Sequence, residues 1–149
     1  MIGQLTPQEV DELLMSRSVG RIGCHGQGKT LVVPVTYAYD GKRIIGHSAV
    51  GEKVILMRAN PNVCFEVDQI DDLRHWRSVI VQGQYHELSG DDASVAMSFL
   101  VEKVMPMFPS ETAALHHGSV SILPRPSADG HPTVVFCIDV VEKTGRFER

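Results

Sequence analysis

The segment at residues 46–53 (GHSAVGEK) joins a strand-like run to a helical pattern and carries residue types that bind phosphate. A loop that ends at a helix N-terminus presents unpaired backbone N–H groups and the positive end of the helix dipole. Ser48 adds a hydroxyl, Lys53 adds a cation, and Gly46 and Gly51 let a ligand approach the backbone. The segment predicts a phosphate cradle, with an ordinary strand-to-helix connection as the alternative. It lacks the Walker pattern.

A proline interrupts the strongest strand signal in the chain, residues 31–39 (LVVPVTYAY). Pro34 cannot donate a ladder hydrogen bond, which indicates an edge strand, a bulge or a neighbour that is not a strand. A ligand lying beside this backbone would be such a neighbour, and a plain edge strand is the alternative. The following Asp40-Gly41 pair predicts a type I′ hairpin into the strand that precedes the cradle segment.

The composition is that of one soluble domain. The chain has 149 residues, of which 43% are hydrophobic and 21% charged, and this suits a single domain over residues 1–149. No apolar run approaches the roughly 20 residues of a membrane span, and the N-terminus lacks a secretory signal. We therefore expect a cytoplasmic protein with no membrane partner. The net charge of −4, without a basic block, predicts no nucleic-acid partner.

The cysteines and histidines predict no metal site. Cys24, Cys64 and Cys137 are widely separated within strand-like runs and show no zinc-binding spacing, so we expect reduced core thiols. The adjacent pair His116-His117 cannot present both rings on one helix face.

The remaining pattern predicts short strands joined by hairpins or single helices. A capping box at residues 6–9 starts a helix over residues 7–17. Strands are predicted at residues 19–24, 31–39, 43–45, 63–67, 78–88 and 134–141, further helices at 52–59, 93–104 and 110–117, and loops at 68–76 and 118–131. Because strands and helices do not alternate regularly, the pattern fits a small antiparallel barrel with helices packed outside.

Several of these pieces occur together in a recognisable order. They are VPVTY at 33–37, DGK at 40–42, GHSA at 46–49 followed by Gly51 and Lys53, RANPNVCF at 58–65, SVIVQG at 78–83 and TGR at 144–146. Over roughly residues 5–146 the chain resembles the FMN-binding split-barrel family related to pyridoxamine 5′-phosphate oxidase. It is most similar to the smaller branch that includes the nitroimidazole-resistance proteins.

The resemblance implies a mainly β fold with peripheral helices, a six-stranded antiparallel Greek-key split β-barrel. It also implies a homodimer with FMN at the subunit interface. The implied cofactor-binding residues are Val33, Pro34, Val35, Thr36, His47, Ser48, Ala49, Gly51, Lys53, Trp76, Ser78 and Val79. Ser48, Gly51 and Lys53 would hold the phosphate, and residues 33–36 would form the wall beside the flavin ring.

The roles of two of these residues can be interpreted in more than one way. His47 is the candidate catalytic residue, because a histidine of this motif lies close to the flavin in the nitroimidazole-resistance branch and imidazole titrates near neutral pH. The alternative is that His47 only hydrogen-bonds the cofactor or caps the strand. Trp76, the single tryptophan, either covers the flavin or its substrate, or is partly buried at a loop base or subunit contact.

The resemblance leads to competing hypotheses about function. The first is an FMN-dependent oxidoreductase acting on a small molecule, such as a nitroaromatic or quinone-like compound. The second is an FMN-binding carrier or sensor without turnover, and the third is a haem- or deazaflavin-binding member of the same fold. Vitamin B6 synthesis is not expected, because the chain lacks an arginine-rich C-terminal segment. Lys53 is the main expected phosphate cation, with Arg58 or Arg77 as helpers.

Overall fold

The computed structural model describes residues 1–107, 130 and 132–149. Its strands are β1 (Ile2–Gln4), β2 (Val19–Gly26), β3 (Lys29–Thr36), β4 (Ala38–Tyr39), β5 (Arg43–Ala49), β6 (Asn62–Asp72), β7 (His75–Leu88) and β8 (Thr133–Glu148). Its helices are α1 (Pro7–Ser16), α2 (Glu52–Ala59) and α3 (Gly90–Val104), and a 3₁₀ turn, Met105–Met107, follows α3. The helix predicted at 110–117 and nearly all of the loop predicted at 118–131 lie outside the described residues.

The strands form one antiparallel sheet in the order β3-β2-β6-β7-β8-β5-β4, with β1 paired to the end of β8. This confirms the predicted mainly β, antiparallel architecture with flanking helices. The six predicted strands become eight for two reasons. The N-terminal residues pair with the end of β8, and the predicted strand at 31–39 divides at Tyr37 into β3 and β4.

The sheet encloses the main hydrophobic core, and α1 packs into it. Thr6 Oγ1 accepts a hydrogen bond from the Glu9 amide at 3.2 Å, and the Glu9 carboxylate accepts one from the Thr6 amide at 2.8 Å, which confirms the capping box. Leu13 and Leu14 are fully buried in the same cluster as Phe65. A second cluster lies between the sheet and α3, whose buried side chains contact residues of β5 and β8.

The prediction of a loop at residues 68–76 is wrong, because β6 extends to Asp72 and β7 begins at His75. Cross-strand contacts outweigh the polar local sequence. Arg77 donates two hydrogen bonds to the side-chain oxygen of Gln69, at 3.1 and 2.8 Å, and Trp76 Nε1 donates to the Glu148 carboxylate at 3.3 Å. Trp76 therefore lies on a strand.

The predicted type I′ turn at Asp40-Gly41 is also wrong, although the hairpin itself is present. Gly41 has a φ of +95°, but neither Asp40 nor Lys42 is among the described residues with positive φ, so the turn lacks the two positive φ values of type I′. The Asp40 carboxylate shapes the turn by accepting the amides of Lys42 and Arg43, at 2.9 and 2.7 Å. The type I′ signature of two positive φ values occurs instead in the turn between β2 and β3.

No helix in the described part of the chain is both long enough and apolar enough to cross a membrane.

Candidate functional site

Two strand edges diverge beside the predicted cradle. β3 is the terminal strand of the sheet and pairs with β2 alone, while β5 pairs with β4 only at Ile44 and Ile45. The far edge of β3 and the edge of β5 at residues 46–49 therefore face each other across a split, which we call the slot. Pairing of Ala38 with Ile45 closes one end. An ion pair between Lys29 and Glu52, 2.5 Å long, ties β3 to the start of α2 at the other end.

The structure places Pro34 on the terminal strand of the sheet, so no described strand pairs with the far edge of β3. The side chains of Val33 and Val35 pack against the core of the barrel, and Pro34 is exposed on the opposite face. Thr36 is partly buried at the end of β3. Residues 33–36 therefore line one wall of the slot, and their backbone groups on the free edge face it.

The cradle segment forms the opposite corner of the slot. The Ser48 hydroxyl donates to the Ala49 carbonyl at 2.7 Å, and the Gly51 amide donates to the same carbonyl at 2.9 Å. The hydrogen bond from the Ile55 amide to the Gly51 carbonyl, 3.1 Å, opens α2. The helix thus supplies no acceptor for the amides of its first three residues, 52–54. A side-chain atom added at Gly51 would meet nothing within 4 Å, so this helix end is open.

Lys53 is a half-buried cation at that open helix end. Burial lowers the pKa of its ammonium group, and the nearby Cys24 thiol opposes this only in part. No carboxylate contributes to this pKa shift among the described residues. Other cations of the described chain have carboxylate partners, including Lys29, Arg43, Arg58 and Lys143. Lys53 therefore combines partial burial, the lack of a carboxylate partner among the described residues and the positive end of a helix dipole, which is the setting that an anion stabilises.

The two suggested helper cations are engaged elsewhere. Arg58 Nε donates to the Glu87 carboxylate at 2.6 Å, and Arg77 is held by Gln69. Of the three cations suggested by the sequence, Lys53 is the one left for the cradle. The sequence offered no signal for the Lys29–Glu52 pair or for Cys24 beside Lys53, because these contacts join residues more than twenty positions apart.

His47 lies at the edge of the slot with its side chain on the α3 side of the sheet. It pairs with Val135 of β8, and paired residues share a face. Two residues earlier on the same face, Ile45 packs with buried side chains of α3. Ser48, the next residue, points to the opposite face and is buried.

The other predicted contacts, Trp76, Ser78 and Val79, lie away from His47 within one chain. Ser78 pairs with Arg146, whereas His47 pairs with Val135, so the two pairings are eleven residues apart along β8. At about 3.3 Å per residue this is a contour of roughly 35 Å. The Val79 side chain is fully buried in the barrel core. Trp76 and Ser78 are half-buried at the far end of the sheet.

No group of three or more histidine, cysteine or acidic side chains is positioned to hold a metal ion among residues 1–107, 130 and 132–149. The three cysteines are free, with Cys24 and Cys137 buried and Cys64 partly exposed. Burial raises the pKa of the Cys24 and Cys137 thiols, as expected for inert core thiols.

Comparison with known proteins gives relatives that match nearly the whole chain. An uncharacterised protein of Rhizobium meliloti is 27% identical over 95% of this chain and 92% of its own. A crystal structure of an FAD-binding protein from Mesorhizobium loti is 27% identical, with a TM-score of 0.80, covering 100% of this chain and 98% of that one. A candidate 5-nitroimidazole antibiotic resistance protein from Bacteroides thetaiotaomicron shares the fold at 15% identity and a TM-score of 0.72, covering 99% of this chain and 87% of that one.

A family model described as pyridoxamine 5′-phosphate oxidase matches residues 6–147. That span contains the whole slot, from β3 through the cradle segment to β8. The chain belongs to the pyridoxamine 5′-phosphate oxidase family.

Proposed function

We propose that this protein is a flavin-dependent oxidoreductase that binds FMN in the slot, with the phosphate at the start of α2 and the ring beside β3. The observation that most directly supports this proposal is the environment of Lys53. Its ammonium group is half-buried at an open helix end, and no described carboxylate contributes to its pKa shift. A phosphate there would accept hydrogen bonds from the amides of the first helical turn and would give Lys53 an anionic partner. The name of the Mesorhizobium loti relative, an FAD-binding protein, supports a flavin as the class of ligand.

The slot suits a flat ring with polar edges. The free edge of β3 offers N–H and C=O groups interrupted at Pro34, where no ladder bond is lost when a ligand replaces a strand. The edge of β5 at residues 46–49 offers further backbone groups on the other side. A ring that carries both donors and acceptors along its rim would fill this gap between two strands.

A homodimer with the flavin at the subunit interface is part of the proposal. Trp76 and Ser78 pair with the C-terminal end of β8, eleven residues or more from the partner of His47, and a second copy could bring them to the cradle end of the slot. The outer face of β2, β3 and β7 exposes apolar side chains that a partner would cover. These are Val19, Val32 and Ile80, which are 54%, 66% and 47% exposed.

A bound flavin would supply two-electron transfer between a nicotinamide donor and a small nitroaromatic or quinone-like acceptor. The protein would hold the phosphate through Lys53, fix the ring against residues 33–36 and keep water from it. His47, at the slot edge, would hold or deliver the proton that accompanies the electrons, because an imidazole can both donate and accept a proton.

The absorption spectrum of the purified protein tests flavin binding. We expect a yellow protein, or a colourless one that gains a flavin spectrum when FMN is added. We also expect Lys53→Ala to weaken FMN binding far more than His47→Ala does, because only Lys53 is placed to meet the phosphate. A protein that takes up neither FMN nor FAD would refute the proposal, and FAD binding in preference to FMN would correct the cofactor.

Turnover separates an enzyme from a flavin carrier. Under anaerobic conditions, NADH or NADPH should bleach the flavin band, and a quinone or nitroaromatic compound should restore it. A flavin band that no donor bleaches would instead make the protein a carrier or sensor.

A further inference from the structure

A groove runs along the outer side of the sheet beside His47. It has a volume of about 400 Å³ and lies between α3 and β8. Its lining residues in the described part of the chain are Ala93, Ser94, Met97, Ser98, Val101 and Val135. Val135 is the β8 partner of His47, so the groove and the His47 side chain lie on the same face of the sheet.

The lining chemistry is apolar with a small polar component. None of the described lining residues is charged, and Met97 forms part of the apolar cluster under α3. The two serines supply the polar groups, and the Ser94 hydroxyl donates to the Gly90 carbonyl at 3.3 Å, which leaves its oxygen free to accept. A concave, mostly apolar surface of this size with few polar groups is typical of small-molecule sites.

We propose that this groove binds the molecule that reacts at the slot, and that this molecule is neutral and largely apolar. The inference rests on the proposed function, because it takes His47 as the boundary between the cofactor slot and the groove. A phosphorylated or carboxylated reactant would enter a groove whose described lining holds no cation to pair with it. The groove thus favours an aromatic quinone or similar neutral ring over a phosphorylated substrate.

The test is a binding measurement with 1,4-naphthoquinone and its charged analogue 1,4-naphthoquinone-2-sulfonate as probes. Ligand-observed NMR would follow each probe, with and without added FMN, in the full-length protein. Two variants fill or charge the groove, Ser98→Phe and Ser98→Glu. Val95→Phe is the matched control, because Val95 lies on the same helix, is 69% exposed and does not line the groove.

We expect the neutral probe to bind wild type and Val95→Phe equally, and to bind both Ser98 variants about tenfold more weakly or worse. The sulfonate should bind wild type at least tenfold more weakly than the neutral probe. FMN binding should be the same in all four proteins. Circular dichroism establishes that each variant is folded, and Ser98 is exposed, so both substitutions are compatible with the helix.

The result separates this inference from the proposed function. Flavin binding with no loss of the neutral probe in folded Ser98 variants, or equal binding of the two probes, would overturn the groove assignment alone. Probe binding that depends on Ser98 in a protein that binds no flavin would keep the groove as a ligand site and overturn the proposed function.

Discussion

Replacing Lys53 by methionine should separate phosphate recognition from structural support. The substitution keeps an unbranched, mostly apolar side chain of similar length and removes its charge. The expected loss of FMN affinity follows from the surroundings of Lys53. In the free protein no described carboxylate contributes to its pKa shift, so the lost interaction is the one with the ligand phosphate. A charge-assisted hydrogen bond of this kind is worth about 1.5–3 kcal/mol, or roughly 10- to 100-fold in the dissociation constant.

The stability of the ligand-free protein should not fall when Lys53 is replaced, although its affinity for FMN does. Burial lowers the pKa of Lys53, so the unfolded chain holds this proton more tightly than the folded one does. Between the lowered pKa and the ordinary lysine value, stability therefore rises with pH. Lys53→Met removes this cost, and we expect the ligand-free variant to be at least as stable as wild type at neutral pH and to lack that rise.

The assay compares FMN with riboflavin, which lacks the phosphate. Fluorescence titration should show that Lys53→Met weakens FMN binding 10- to 100-fold, by about the amount worked out above, and changes riboflavin binding less than about twofold. Lys42→Met, at the exposed tip of the β4–β5 hairpin, is the control and should change neither. FMN affinity of wild type should also fall as pH rises through the lowered pKa of Lys53.

Two results would refute this reasoning. Equal loss of FMN and riboflavin binding would mean that Lys53 supports the ring site or the fold rather than the phosphate. A clear loss of stability in the ligand-free variant would mean that the buried ammonium has a stabilising partner after all.

Three further predictions address the fold and the interface. Tyr39→Phe should lower the free energy of unfolding, measured in urea, by about 1 kcal/mol. The reason is that the Tyr39 hydroxyl lies 2.8 Å from Asp11 and 3.0 Å from Lys143 and so joins α1 to β4 and β8. An unchanged free energy would show that these hydrogen bonds add nothing to stability. Burial raises the pKa of Asp40, but hydrogen bonds from Lys42 and Arg43 outweigh this effect and hold the pKa below its usual value. The stabilisation by Asp40 is therefore complete above the pKa of the unfolded state and is lost as pH falls through the pKa of the folded state. Asp40→Asn should abolish this component of acid unfolding, and an acid-unfolding profile identical to that of wild type would contradict the assignment. Ile80→Lys should convert a dimer to a monomer in sedimentation velocity, whereas Leu73→Lys, at the exposed tip of the β6–β7 hairpin, should not; a dimer that survives Ile80→Lys would place the interface elsewhere.

Local sequence determined the elements whose signals lie within a few residues of each other. The capping box at Thr6 and Glu9 starts α1 as predicted, and Pro34 marks an edge strand because it has no amide to donate. The segment at 46–53 leads from a strand into a helix, as its pattern indicates. Each of these features depends on backbone groups that the residue itself or its close neighbours satisfy or leave open.

Tertiary structure decided the features that depend on which strands pair with each other and in which register. The polar stretch at 68–76 became part of two paired strands because Arg77 and Trp76 found partners on β6 and β8. The slot exists because the chain pairs with β5 only from Ala38 onward, so β3 stays separate from residues 46–49 of β5. The half-burial of Lys53 depends on packing of α2 against β2. Strand register sets Trp76 and Ser78 far from His47 and directs the His47 side chain toward α3. Such contacts join residues tens of positions apart, and a local pattern of period two or 3.6 holds no information about them.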